Sequence, residues 1–273
     1  MSSTLQVVLS DRSLLAREAA RRFVALARDA IHAGGKFSVA LSGGSTPRDL
    51  FVLLATPEFA TQVDWARVHV FWGDERAVPP DHRDSNYRMA NEALLARVAI
   101  PAQNVHRIRA ELLPEEAARE YEQTVQEFFG RGLTVANCAT ATRTNADEEK
   151  NPRSSAVLRV PNFDLVLLGL GANGHTASLF PHTRLLHETQ RWIAAEYIDE
   201  VKMWRITLTA PLINAAANIL WLVAGADKAE TVQQVLHGAY RPEDLPAQLI
   251  KPTHGNAVWL LDKDAASKLQ IGD

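Results

Sequence analysis

Apolar residues recur along this chain in two rhythms. Over residues 13–32, Leu14, Leu15, Ala19, Phe23, Leu26, Ala27 and Ala30 fall three or four apart, which predicts one buried helical face. Gly34 and Gly35 end that helix, and the apolar run Phe37–Leu41 follows as a short buried strand. A glycine loop comes next, then Pro47 at a first helical turn and a second helix continuing through residues 49–54. The pattern repeats at Val68–Trp72, a strand leading into the polar residues 73–76, with a helix expected near 85–97 and another over Pro114–Phe129. The acidic Glu115 and Glu116 sit at the positive end of that last helix. Beyond it, residues 163–168 read as the strongest strand of the chain. Strands at 192–196, 205–209, 219–224 and 257–261 then alternate with helices beginning at Pro211 and Lys228.

Strands alternating with helices predict an α/β fold, a doubly wound, mostly parallel, Rossmann-like sheet with helices on both faces. The whole chain, 1–273, is expected to be a single domain. Residues 134–159 break the rhythm: Thr, Asn, Ala, Asp, Glu and Lys dominate there, and a long polar surface loop is expected.

Composition narrows the functional classes. A net charge of -3 with scattered Lys and Arg lacks the basic field that nucleic-acid binding requires. No apolar run approaches the length of a membrane span. The single cysteine, Cys138, excludes an intrachain disulfide, and the first ten residues carry no signal-peptide pattern, so a cytoplasmic location is expected. A monomer or weak homo-oligomer is the expected state.

Three loops follow three of the predicted strands, so a parallel sheet would gather them at one edge. The first contains Ser42, Gly43, Gly44, Ser45 and Thr46 ahead of a helix, where backbone N–H groups, hydroxyls and the helix dipole could hold an anion. A tight turn that merely needs glycine fits equally well. No Lys-Ser or Lys-Thr follows at Walker spacing. The second, Gly73 with Asp74, Glu75 and Arg76, puts charges directly after an apolar strand; Arg76 could grip a phosphate or carboxylate, or the turn could simply be solvated. The third runs from Gly171 through Asn173 and Gly174 to His175 and Thr176. His175, expected inside the first turn of a short helix, is a candidate general base.

Some apparent motifs fail in context. Gly169, Gly171 and Gly174 match a dinucleotide fingerprint, with Glu196 near the acidic position, but Pro181 stops the following helix too early for a crossover unit. His82, Arg83 and Asp84 imitate a kinase catalytic loop, yet Met89 stands where a metal-binding Asn belongs. His175, His182 and His187 lack metal-ligand spacing, and no Gly-x-Ser-x-Gly elbow occurs. No cofactor and no metal are expected.

Together these segments resemble the 6-phosphogluconolactonase family. The matching blocks are residues 41–47, 72–79 with Ser85 and Asn86, 169–181, 205–209 with Asn214 and Ala215, and 225–229. The most specific is Gly-His-Thr-Ala-Ser-Leu-Phe-Pro at 174–181. The resemblance implies hydrolysis of a small sugar phosphate lactone, with no redox cofactor, in the second step of the oxidative pentose phosphate pathway. It implies His175 as base to water, residues 42–46 and Arg76 at the phosphate or lactone, and Asp74, Glu75, Gly174 and Arg205 at the substrate. Two departures stand out. Asn173 occupies a place where the family commonly has an Asp orienting the His, and Ala217 replaces a frequent Lys or Arg that Lys202, Arg205 or Arg88 would have to supply. On that basis Asn173→Asp is expected to hold or raise activity. A glucosamine-6-phosphate deaminase-like enzyme, or a sugar-phosphate-binding protein with weakened catalysis, are the alternatives; Thr176 to Pro181 favours the lactonase over the deaminase.

Overall fold

The computed structural model describes residues 3–130 and 161–269; the polar stretch 134–159 and Cys138 lie outside them. In chain order the strands are β1 (Ser3–Leu9), β2 (Phe37–Leu41), β3 (Val68–Trp72), β4 (Asp74–Arg76), β5 (Leu165–Leu168), β6 (Ile193–Ile198), β7 (Met203–Leu208), β8 (Asn218–Val223) and β9 (Asn256–Asp262). The helices are α1 (Arg12–Gly34), α2 (Ser45–Leu54), α3 (Pro57–Ala60), α4 (Asn86–Ala93), α5 (Pro114–Phe129), α6 (Ala210–Asn214) and α7 (Ala229–His237).

Six strands form one wholly parallel sheet in the order β1-β9-β8-β5-β2-β3. Its central strands β2 and β5 are buried along their whole length, which is why they read as unbroken apolar runs rather than alternating ones. Chain order reverses between β2 and β5: β3 lies on one side of that pair, β8 and β9 on the other. Helices α1 and α2 pack together against this sheet, while α5 packs on β6 and β7. Ligands in such sheets bind outside the carboxyl ends of the strands at the reversal.

The remaining three strands form a separate antiparallel sheet, β4-β7-β6. Residues 73–76 are therefore not a free loop: Asp74, Glu75 and Arg76 pair with Thr207, Ile206 and Arg205. Strands β6 and β7 make a hairpin turning at Asp199–Val201, with Lys202 left-handed at φ 46°. The helix expected over 85–97 stops at Ala93, and Leu95–Arg97 continues as a 3₁₀ turn. Strand β1 escaped the sequence reading; it is an edge strand, with Leu5 half exposed, so its pattern carries little burial signal. Among the described residues no helix is long and apolar enough to cross a membrane.

Candidate active site

The glycine loop after β2 and the histidine loop after β5 meet above the strand reversal and line a cavity of about 530 Å³. Ser42, Gly43, Gly44, Ser45 and Thr46 form one wall, Asp74 and Arg76 another, and His175 with Thr176 a third. The fourth wall, at the end of β8, is Gly225, Asp227 and Lys228. Lys228 lies in the matching block 225–229 but was given no site role from sequence. Its signal is positional: it follows a strand that ends beside β5.

The first wall suits an anion. Helix α2 starts after Gly44 (φ 99°), which provides no side-chain cap, so the donors of its first turn are not taken by the chain's own side chains. Gly43 needs to be glycine, because a Cβ there would overlap the Asn86 side chain. Asn86 in turn donates through Nδ2 to the Asp74 carbonyl at 2.9 Å and to its carboxylate at 3.3 Å. Asp74 also accepts from Ser178 Oγ at 2.6 Å. One buried carboxylate thus joins β4, the start of α4 and the histidine loop.

His175 is held tightly but not in a helix. The chain from Gly169 turns back on itself: Gly171 N–H donates to the His175 carbonyl at 2.8 Å and Gly174 N–H to the Gly171 carbonyl at 3.0 Å. The expected helical turn is replaced by this closed loop, since Gly174 is left-handed at φ 82° and Ala177 at φ 48°. The ring stacks on Phe180 at 4.1 Å, and a Cβ at Gly171 would overlap it. His175 Nδ1 lies 2.5 Å from Asn173 Oδ1, which also accepts the His175 backbone N–H at 3.2 Å. An amide oxygen only accepts, so Nδ1 carries the proton and Nε2 offers its lone pair. Burial is the main cause pushing the His175 pKa down to about 4; Asp74 and Glu200 pull it up, Lys228 and Arg205 further down. The imidazole is neutral at physiological pH, as a base must be.

Four predicted site residues lie outside the cavity lining. Asn173 stands behind His175. Gly174 shapes the loop and packs against Leu245. Glu75, expected at the substrate, instead caps α4: its carboxylate accepts the N–H groups of Arg76, Asn86 and Tyr87, each at 2.8 Å, and the Ser85 hydroxyl at 3.1 Å. Burial still raises its pKa above the usual carboxylate range. Arg205 is buried on β7 in register with Arg76, and burial followed by the Arg76 charge lowers its pKa. The Nε atoms of both guanidiniums are buried without a hydrogen-bond partner among the described residues.

Ala217 is also clarified. It precedes β8, its N–H bonded to the Phe163 carbonyl and its own carbonyl to Asn256 N–H, at the amino edge of the sheet opposite the cavity. None of its suggested substitutes lines the cavity: Arg88 pairs with Glu92, Lys202 is exposed at the hairpin, and Arg205 is buried behind Arg76. Among the described residues, no group of three or more His, Cys, Asp or Glu side chains could hold a metal.

A parallel sheet with a glycine loop, an uncapped helix start and a buried histidine gathered at its switch point places the chain among Rossmann-like α/β proteins with a ligand cavity at the strand ends. The family model for glucosamine-6-phosphate isomerases/6-phosphogluconolactonase matches residues 10–259. The chain belongs to that family. It is 39% identical to the 6-phosphogluconolactonase of Nostoc sp. over 99% of this chain and 100% of that protein. Against the 6-phosphogluconolactonase of Synechocystis sp. it is 40% identical over 88% of each. The solved 6-phosphogluconolactonase from Trypanosoma cruzi superposes with a TM-score of 0.80 at 27% identity, covering 99% of this chain and 98% of that one.

Proposed function

We propose that this chain hydrolyses 6-phospho-D-glucono-1,5-lactone to 6-phospho-D-gluconate, acting as a carboxylic ester hydrolase with His175 as general base. The observation carrying the reading is the His175 ring itself: it lines the cavity at the strand reversal, with Nδ1 committed to Asn173.

In this mechanism Nε2 takes a proton from water as the water oxygen attacks the lactone carbonyl carbon. The tetrahedral intermediate collapses with cleavage of the bond from that carbon to the ring oxygen. The ring oxygen takes up the proton from His175 and becomes a hydroxyl, leaving a carboxylic acid that ionises. A weak base suffices, because the carbonyl is already activated by the ring ester. The uncapped start of α2 and Lys228 receive the phosphate, and Arg76, whose Nη1 is anchored to the Asp84 carbonyl at 2.7 Å, faces the developing oxyanion. We infer a monomer or weak homo-oligomer. The shared Asp74 contacts across both sheets support a single domain. We also infer a cytoplasmic setting, where phosphorylated sugars are the ordinary substrates.

The test is release of 6-phosphogluconate from freshly generated lactone, coupled to its dehydrogenase and corrected for spontaneous opening. Turnover well above background is expected. Background rate from folded protein overturns the reading, and ammonia release from glucosamine 6-phosphate would replace it with the deaminase.

A further inference from the structure

Asn173 is a primary amide, and a primary amide has two ends of nearly equal size and opposite chemistry. With Oδ1 toward His175, the ring is protonated on Nδ1 and Nε2 is a base. Flipped, Nδ2 would donate to Nδ1, placing the ring proton on Nε2, and the ring could no longer accept a proton from water. Within the loop, one contact favours the first arrangement: the His175 backbone N–H donates to Oδ1 at 3.2 Å, at the long end of the hydrogen-bond range. The stronger, charge-assisted selection comes from the other side. Asn173 Nδ2 donates to both carboxylate oxygens of Glu200, at 3.0 and 2.8 Å. An ionised carboxylate accepts only, so it tolerates the amide nitrogen and rejects the amide oxygen.

We propose that Glu200, at the turn of the β6–β7 hairpin, is a positioning residue that fixes the Asn173 amide and thereby the base-competent tautomer of His175. The role rests on the lactonase reading only where turnover is the readout. It gives the second sheet a function: its hairpin carries Glu200 across to the histidine loop, 27 residues away in sequence. It also reverses the simple expectation for Asn173→Asp. With Glu200 present, an aspartate would set two carboxylates against each other at hydrogen-bond distance, where both cannot stay ionised and extended. Asn173 and Glu200 form a matched pair, amide against acid. The exchanged pair, acid against amide, restores the same pattern of donors and acceptors.

The experiment combines lactonase kinetics with nitrogen-15 long-range correlation spectra of the His175 ring, on wild type, E200A, E200Q, N173D and N173D/E200Q. Glu200 is exposed, so folding is checked simply by an unchanged Tm. Wild type is expected to show the Nδ1-protonated tautomer, and E200A a mixture. The kcat of E200A should fall about tenfold with KM within about twofold, the size seen when an orienting partner is lost. N173D alone should fall by a similar factor, and N173D/E200Q should recover to within about threefold of wild type, a coupling that additive roles cannot produce. A wild-type tautomer and kcat in E200A overturns the proposal, as does an N173D effect of the same size in the wild-type and E200Q backgrounds. Wild type inactive on the lactone, yet losing its tautomer in E200A, would support the positioning role while removing the lactonase reading.

Discussion

At the residue scale, the proposed chemistry depends on a histidine kept neutral. An unperturbed imidazole would lose its lone pair as pH fell through about 6.5, whereas burial holds His175 uncharged down to about 4. The direction fixes a prediction. Free-enzyme kcat/KM should stay level from pH 8 to about pH 5 and fall with unit slope only below that, because protonation removes the base. A decline centred at the ordinary histidine value would show that the ring is more solvated than its stack on Phe180 implies. His175→Ala should lower kcat by roughly a hundredfold or more while leaving the thermal midpoint close to wild type. Near-normal turnover in that variant would remove His175 from the mechanism. The exchange of Asp for Asn at 173 was visible in the sequence as a departure, but its partner was not. Glu200 lies in a hairpin whose approach to the loop only the fold reveals.

At the scale of elements, periodicity located α1, α5 and the buried strands because burial is what periodicity records. It placed α5 on the same residues, 114–129, that the structure shows. It misjudged 73–76 for a physical reason: a three-residue strand of Asp, Glu and Arg has no apolar pattern, and it is a strand only because β7 pairs with it. The same pairing explains why Glu75 does not line the cavity. Its side chain is turned to the start of α4, where it serves two backbone donors and one hydroxyl, besides the Arg76 N–H on its own strand. Replacing Glu75 by Ala leaves those donors buried and unpaired, so a loss of roughly 2–4 kcal/mol is expected, mainly through the start of α4. Chemical denaturation would register it as a lower midpoint. A change below about 0.5 kcal/mol, the scale of an ordinary surface substitution, would mean that water replaces the carboxylate, and that the substrate role first expected for Glu75 is open again.

At the scale of the molecule, the fold resolves an apparent conflict between a chain of net charge -3 and an anionic substrate. Cations scattered in sequence converge where the strands end: Arg76 after β3, Lys228 after β8, and the dipole of α2 after β2. Lys228 is set by the turn that opens at Gly225, and Asp262 at the end of β9 fixes that turn by accepting Gly225 N–H at 3.1 Å on each carboxylate oxygen. Lys228 pairs with Asp227 at 3.0 Å, so its charge is partly balanced until a phosphate competes for it. Its contribution should therefore appear as discrimination and not as chemistry. In Lys228→Ala, kcat/KM for the phosphorylated lactone is expected to fall about a hundredfold, while that for unphosphorylated gluconolactone changes less than about threefold, since only one substrate carries the group the lysine meets. Inorganic phosphate, a competitive inhibitor of the wild type on this reading, should inhibit the variant weakly. An equal loss on both lactones would put Lys228 at the reacting carbonyl and move the phosphate to Arg76, turning the substrate end for end in the cavity.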